Sequence, residues 1–130
     1  MFYIRKKSSA ILVIAAAGGV MSDIFAQITA AGIASNGQLD TNSLPANAVI
    51  LMALFRETAG HAVSVSLGSS LGASDVTTAQ PVPASGTLMI QPGAFLKDWF
   101  SASSTQAIYV TSASWGSASI NASLVYMVGP

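Results

Sequence analysis

Apolar residues alternate with small polar residues along most of this chain, and the pattern is clearest near its middle. In Ala48–Phe55 both parities of the sequence are apolar, which predicts a central strand covered on both faces. Ala62–Leu67 alternates strictly, which predicts a strand with one face in a core and a serine-lined face in water. The polar connection between them contains Gly60, which readily takes the positive φ of a short turn. The pattern therefore predicts a β-hairpin over Ala48–Leu67.

The segments after residue 67 have the same character, with more turn-forming residues. Gly68–Ser85 is rich in Gly, Ser, Thr and Pro, which predicts a surface loop. Alternation predicts strands at Thr87–Ile90, Ala107–Ser112 and Ile120–Val128. Apolar residues at one-turn spacing within Phe95–Phe100 predict a helical turn that plugs the core. Short strands separated by Gly, Pro and Ser turns are typical of an antiparallel β-sandwich or jelly roll, so we expect an all-β fold.

The N-terminal residues have a different pattern from the rest of the chain. Arg5, Lys6 and Lys7 make the first seven residues basic, and the twelve residues of Ala10–Met21 are apolar and uncharged. Three alternatives fit: an arm that packs on its own domain or on a neighbour, a signal peptide, or a membrane anchor. Membrane contact through residues 10–21 is disfavoured because a membrane helix needs about 20 apolar residues. A signal peptide is disfavoured because the small-residue cleavage sites that follow are poor.

Residues 22–43 connect this segment to the strands. Ser22 or Asp23 is suited to cap a short helix that extends through Ile33. From Ala34 the turn-rich sequence SNGQLDTNSLPAN predicts a linker. We therefore expect an extended or partly helical N-terminal arm and linker over residues 1–43, followed by a β-sandwich domain over residues 44–130.

The composition excludes several classes of function. The chain is 52% hydrophobic and only 8% charged, whereas about 25% is usual for soluble domains. Such a neutral surface favours a protein that is covered by copies of itself or by a larger assembly. The chain has five basic residues and no net charge, too little positive charge for specific nucleic-acid binding. It has no cysteine, which excludes disulfides, thiol catalysis and cysteine-ligated zinc.

Two short patterns are candidates for catalytic sites. Gly68–Gly72 matches the G-x-S-x-G nucleophile elbow with Ser70 as its serine, but no helical pattern follows, so we interpret it as a flexible loop. Glu57 precedes His61 by four residues and could tune it as a base, although a solvated turn histidine is the simpler interpretation. The five acidic residues lack metal-ligand spacing. The sequence therefore predicts no catalytic residue, no metal site and no cofactor.

The candidate contact residues are aromatic or lie in the basic terminus. Trp99, Tyr109 and Trp115 fit either an interface or a stacking site for a ligand such as a glycan. The basic cluster at the N-terminus is a candidate contact of the arm with a partner.

Two segments of the chain carry a resemblance to known proteins. They are LPANAVILMALFRETAGHAVSVSLGSSLGASDV and QAIYVTSASWGSASINASLVYM, which together cover about Leu44–Val128. Their shared motifs are AG-x-A-V before a strand, G-x-S-x-G-A-S-D-V after it, and IYV…W before the last strand. The resemblance is to small β-sandwich virion proteins of tailed bacteriophages. It implies a non-enzymatic virion protein of the capsid decoration, minor capsid, spike or tail type, in contact with copies of itself and with other virion proteins.

Two functions are therefore expected, in order of preference. The first is a structural virion protein that self-associates or docks on a capsid or tail lattice. The alternative is a secreted or surface-displayed β-sandwich that binds a glycan or host receptor through Tyr109, Trp115 and the Gly68–Ser85 loop.

Overall fold

The structure is a computed structural model, and it describes residues 25–40, 43–100 and 104–128. The predictions for residues 1–24, including the arm contacts at Arg5, Lys6 and Lys7, lie outside the described residues. The described part contains nine strands: β1 (Phe25–Ile33), β2 (Gly37–Gln38), β3 (Ala48–Glu57), β4 (Val63–Gly68), β5 (Thr77–Val82), β6 (Thr87–Ile90), β7 (Trp99–Phe100), β8 (Tyr109–Thr111) and β9 (Ile120–Val128). These residues include no helix of the length and hydropathy needed to cross a membrane.

The strands form two antiparallel sheets, as expected for an all-β sandwich. Sheet A has the order β1-β9-β3-β6, and the short strand β7 also pairs with β3, next to its N-terminal end. Sheet B has the order β2-β8-β4-β5. Buried aliphatic and aromatic side chains from both sheets form one cluster, with Phe55 of β3, Leu67 of β4 and Leu124 of β9 among the most enclosed. Burial of these side chains between the sheets is the main source of stability. The all-β fold class is therefore confirmed.

The predicted hairpin over Ala48–Leu67 is wrong, although both of its strands form. Strand β3 lies in sheet A and β4 lies in sheet B, so the connection between them crosses from one sheet to the other. The carboxylate of Glu57 accepts hydrogen bonds from the backbone N–H groups of Ala59, Gly60 and His61, which curls the chain away from sheet A. Alternation predicted the strands correctly, but it does not specify which strands pair.

Strand β3 is central in sheet A, as its sequence predicted, but only one of its faces is covered by another strand. Ala53 and Phe55 point into the core, and β3 lies between β9 and the pair β6 and β7. On the other face Val49, Met52 and Leu54 are half-buried, and no described strand packs over them. The expected covering of both faces is therefore wrong for the part of the chain that the structure describes.

The helix predicted up to Ile33 is also wrong, since Phe25–Ile33 forms strand β1. This strand pairs with β9 from Phe25 opposite Met127 to Ile33 opposite Ile120. Ile28 contributes to the core, so contacts distant in sequence outweigh the local helical pattern. Strands β1 and β2 fall within the range expected to form an arm and linker, yet they pair with strands of the sandwich. The division of the chain at residue 44 stays a prediction.

Two further segments form strands that the sequence did not predict. Residues 69–76 are irregular, as expected, but Thr77–Val82 forms β5 at the edge of sheet B, where Pro81 is tolerated. The helical turn predicted within Phe95–Phe100 is wrong because its last two residues form β7. By contrast, the predicted strands Thr87–Ile90 and Ile120–Val128 are confirmed with the same limits.

Candidate functional site

The outer face of sheet A presents a row of apolar residues across its strands. Met127 of β9 pairs with Val49 of β3, and Val49 pairs with Trp99 of β7. Residues opposite one another in a sheet share a face. Because Ala48 is buried in the core and neighbouring residues alternate, this row lies on the outer face.

The next rows on this face are apolar as well. Met52 pairs with Val125, and Leu54 pairs with Met89. Seven side chains make up this surface, which we call the apolar patch: Val49, Met52, Leu54, Met89, Trp99, Val125 and Met127. Trp99 is 57% exposed and Met89 is 51% exposed, while the other members are half-buried. The opposite end of the face is polar, with Arg56 paired to Asn121.

The apolar patch has the composition of a protein contact surface. It contains Trp and Met, two residue types that are enriched in interfaces, and it contains no charged residue. Single exposed apolar side chains are ordinary, whereas neighbouring apolar side chains on one face make a candidate site of interaction. The patch can therefore be buried against an apolar partner without removing any ion from water.

Sheet B has an outer face of a different kind. An open groove of about 770 Å³ lies over β4, β5 and the end of β8. Its lining consists only of Ala, Val, Ser, Gly, Pro and Thr residues, among them Ser64, Pro81 and Thr111. No ionisable side chain lines the groove, so it offers hydroxyl and backbone groups but no acid or base.

Glu57 is the most enclosed ionisable group of the described residues. Its side chain is 0% exposed, and its two oxygens accept five backbone N–H bonds of 2.7–3.2 Å. Three donors belong to the connection after β3, and the others are the N–H groups of Ser85 and Ser119. Burial alone would raise the pKa of Glu57, but the donors, with Ser85 first, outweigh it and lower the pKa to about 2. The carboxylate thus ties three loops together as an anion.

This arrangement shows whether Glu57 and His61 act as a catalytic pair. The carboxylate is bonded to the backbone N–H of His61 at 2.9 Å, and its acceptor positions are filled by backbone donors. The imidazole belongs to an exposed residue of the connection between the sheets. The pair is therefore a structural turn, and the carboxylate does not tune a base.

The G-x-S-x-G segment is an irregular connection that leads into a strand. Ser70 is exposed, and its carbonyl oxygen accepts a hydrogen bond from the N–H of Ala73. Both the N–H and the hydroxyl of Ser69 donate to the Asp75 carboxylate, at 2.8 and 2.6 Å, which lowers the pKa of Asp75. A Cβ on Gly68 would overlap the backbone of Ala73. Because β5 follows instead of a helix, the segment lacks the strand-to-helix turn of a nucleophile elbow.

The three predicted aromatic contact residues do not form one site. Trp99 belongs to the apolar patch of sheet A. Tyr109 is the first residue of β8 in sheet B, where it pairs with Gln38. Trp115 packs against the core, and its indole N–H donates to the Asn36 side-chain oxygen at 2.6 Å. Neither Tyr109 nor Trp115 lines the groove on sheet B.

Most members of the apolar patch cannot be identified from the sequence. The alternating pattern places Met89 and Met127 in strands, but alternation alone does not distinguish an outward apolar residue from a core residue. The available signal is that both parities are apolar in Ala48–Phe55 and again in residues 124–128.

Metal-binding residues do not cluster in the part of the chain that the structure describes: no three His, Cys, Asp or Glu side chains there could hold an ion together.

Comparison with known proteins shows a likeness to a solved structure. No protein-family model matches this sequence, and no curated protein sequence is significantly similar to it. The structure is similar to a chain of the cyanophage Pam1 capsid asymmetric unit, with a TM-score of 0.53 and 16% sequence identity. The two chains share a fold. The match covers 97% of this chain and 100% of that chain, so it extends over the whole neighbour.

Proposed function

We propose that this protein is a non-enzymatic structural component of a bacteriophage virion, which self-associates and docks on a capsid or tail lattice. The observation that carries the proposal is the apolar patch on the outer face of sheet A. The virion as its place is supported by the fold shared with a chain of the cyanophage Pam1 capsid asymmetric unit.

The patch suits docking for a physical reason. A standard interface removes about 800 Å² of surface from each partner, and its energy comes mainly from a few large apolar and aromatic side chains near the centre. Trp99 and Met89 are the exposed members that can supply such a centre. Because the patch carries no charge, its burial avoids the cost of removing ions from water.

Catalysis is less well supported by the ionisable groups of the described residues. Glu57 is enclosed by backbone donors, and the groove on sheet B has no acid or base. His61 lies in an exposed connection without a nucleophile bonded to it in the described contacts. A structural role requires none of these groups.

The alternative is a surface-displayed module that binds a glycan or host receptor, and the groove on sheet B is the feature that favours it. Sugars are commonly held by an aromatic side chain, but Tyr109 and Trp115 lie outside the groove lining. We therefore rank this function second.

The proposal is tested by following the protein in a lysate that contains phage particles. We expect the chain to sediment with density-purified particles at a fixed ratio to the other virion proteins, as measured by quantitative mass spectrometry. The Trp99→Glu variant should be absent from the purified particles, because the substitution puts a charge into the contact that docking buries. Leu71→Glu is the matched control, since Leu71 is 63% exposed in a loop outside the patch. Recovery of the unchanged protein only in the soluble fraction would contradict the proposal.

A further inference from the structure

The four edges of the two sheets differ in how well they are protected against further pairing. Sheet B ends at β2, which has two residues, and at β5, which carries Pro81. Sheet A ends on one side at β6 and β7, with four and two residues. Its other end is β1, which has nine residues. Short strands and proline are devices that blunt an edge, and three of the four edges have one.

Strand β1 has none of the usual protection over most of its length. Its sequence FAQITAAGI contains no charged residue and no proline. It pairs with β9 without irregularity from Phe25 to Ala30, and the register shifts only between Ala30 and Ile33. Within the described residues no strand pairs with its other side. An uncharged, regular edge of this kind presents free backbone donors and acceptors that accept a further strand.

We propose that β1 pairs antiparallel with β1 of a second copy of this chain, about a two-fold axis near Gln27 and Ile28. A two-fold contact uses the same surface on both partners, so the edge needs no second complementary site. The inference names the contact for the self-association that forms part of the proposed function, and it rests on that function.

Residues 10–21 are a weaker occupant of the same edge. Gly18 and Gly19 lie side by side within that run, and glycine in a strand loses backbone entropy and contributes no side-chain packing. A second copy instead brings a strand that already pairs with its own β9.

The pairing also enlarges the docking surface. Strand β1 is adjacent to β9, which contributes Val125 and Met127 to the apolar patch. Joining two copies through β1 makes one continuous sheet, with the two patches on the same outer face on either side of the axis. A lattice would then bind two linked patches, and linked contacts bind more tightly than separate ones.

The side chains near the axis provide the test. Gln27 and Thr29 both lie on the outer face of β1, since Ile28 between them is in the core. In a symmetric pairing centred on Gln27 or Ile28, Gln27 of one copy faces Gln27 or Thr29 of the other. Like charges that face each other across strands destabilise the pair, and opposite charges stabilise it.

The experiment compares full-length chains in which both residues are replaced, Gln27→Lys with Thr29→Lys and Gln27→Glu with Thr29→Glu. We expect the dissociation constant of the dimer, from sedimentation equilibrium, to rise roughly fivefold or more in each variant alone. Mixing the two variants should restore dimers of one Lys chain and one Glu chain, identified by native mass spectrometry. Variants that had lost their fold would not form such mixed dimers. Their formation therefore requires that the two β1 strands face each other.

The control is Thr78→Lys with Ala79→Lys, which puts two lysines at exposed positions of the edge strand of sheet B. It should leave the dimer unchanged. Dimers that persist in both β1 variants, or that the β5 control disrupts equally, would overturn the β1 contact while the proposed virion role stands. An unchanged chain that is monomeric at all concentrations would overturn the contact, and its absence from particles would separately overturn the proposed function.

Discussion

The outer faces of the two sheets differ although the same alternating pattern produces both. On sheet A the outward positions of β3, β6, β7 and β9 carry the apolar patch, with Trp99 more than half exposed. On sheet B the outward positions line a groove of small and hydroxyl side chains such as Ser64 and Pro81. Water can form hydrogen bonds with the hydroxyl side chains of sheet B but not with the apolar side chains of sheet A. The proposed docking therefore predicts that a partner covers sheet A and that sheet B remains in water.

Glu57 holds together loops that connect the two sheets, so its replacement tests whether the sheets behave as one unit. Glu57→Ala leaves five backbone N–H groups of three loops without the acceptor that they share in the folded protein. We expect this variant to lose more stability than any other described here, measured as the denaturation midpoint in guanidinium chloride. Glu57→Gln keeps the size and one acceptor oxygen and should lose less. Equal stability of the alanine variant and the unchanged chain would contradict the role of the carboxylate.

The same carboxylate predicts how stability depends on pH. The pKa of Glu57 is about 2 in the folded protein and 4.5 in its ordinary state, so the folded form binds the proton less readily. The stabilisation is complete above about pH 4.5 and is lost as the pH falls towards 2. In measurements between pH 2 and 6, the denaturation midpoint of the unchanged chain should decrease as the pH drops from about 4.5 towards 2. The Glu57→Gln variant has no carboxyl group to protonate, so its denaturation midpoint should not show this decrease. If its dependence on pH were identical to that of the unchanged chain, the role of the Glu57 carboxylate would be contradicted.

Gly68 tests the packing of sheet B alone. A methyl group there overlaps the backbone of Ala73, so Gly68→Ala should cost about 1–3 kcal/mol of unfolding free energy. Gly72 is the control, because a Cβ at that position meets nothing within 4 Å although its φ is +83°. Gly72→Ala should cost about 1 kcal/mol for the backbone conformation. A larger loss at Gly72 than at Gly68 would show that the close approach at Ala73 is not maintained in solution.

The smallest effect on unfolding is expected at the two outer faces. Met89→Ser and Ser64→Ala change exposed side chains of sheets A and B, and each should alter the unfolding free energy by less than about 0.5 kcal/mol. Only Met89→Ser should reduce assembly, measured by light scattering on size-exclusion fractions. Equal effects of both changes on assembly would remove the distinction between the faces.

The sequence predicted individual strands better than it predicted their arrangement. Thr87–Ile90 and Ile120–Val128 were correct because alternation is a local property of the chain. The hairpin prediction failed because β3 pairs with β9 and β6 and β4 pairs with β8 and β5, strands that all lie beyond the connection between them. Such distant partners leave no local pattern.

The shorter strands and the apolar patch could not be predicted from the sequence for other reasons. Strand β5 contains Pro81, which ordinarily argues against a strand, and β7 has only two residues, too few for alternation to be visible. Trp99 was identified as a candidate contact from its residue type, but Met89 and Met127 were not. Whether an apolar residue faces the core or the solvent depends on the side of the sheet that is covered, which is a property of the whole fold.

The most direct measurement is oxidative footprinting of the protein inside purified particles and after release from them. Met89 and Trp99 are exposed and oxidisable, and Met127 lies beside them in the patch. We predict that their oxidation is strongly slowed in the particle, while peptides of β4 and β5 on sheet B react equally in both states. Equal oxidation of Met89 and Trp99 in the two states, with protection confined to sheet B, would contradict the assignment of sheet A as the covered face.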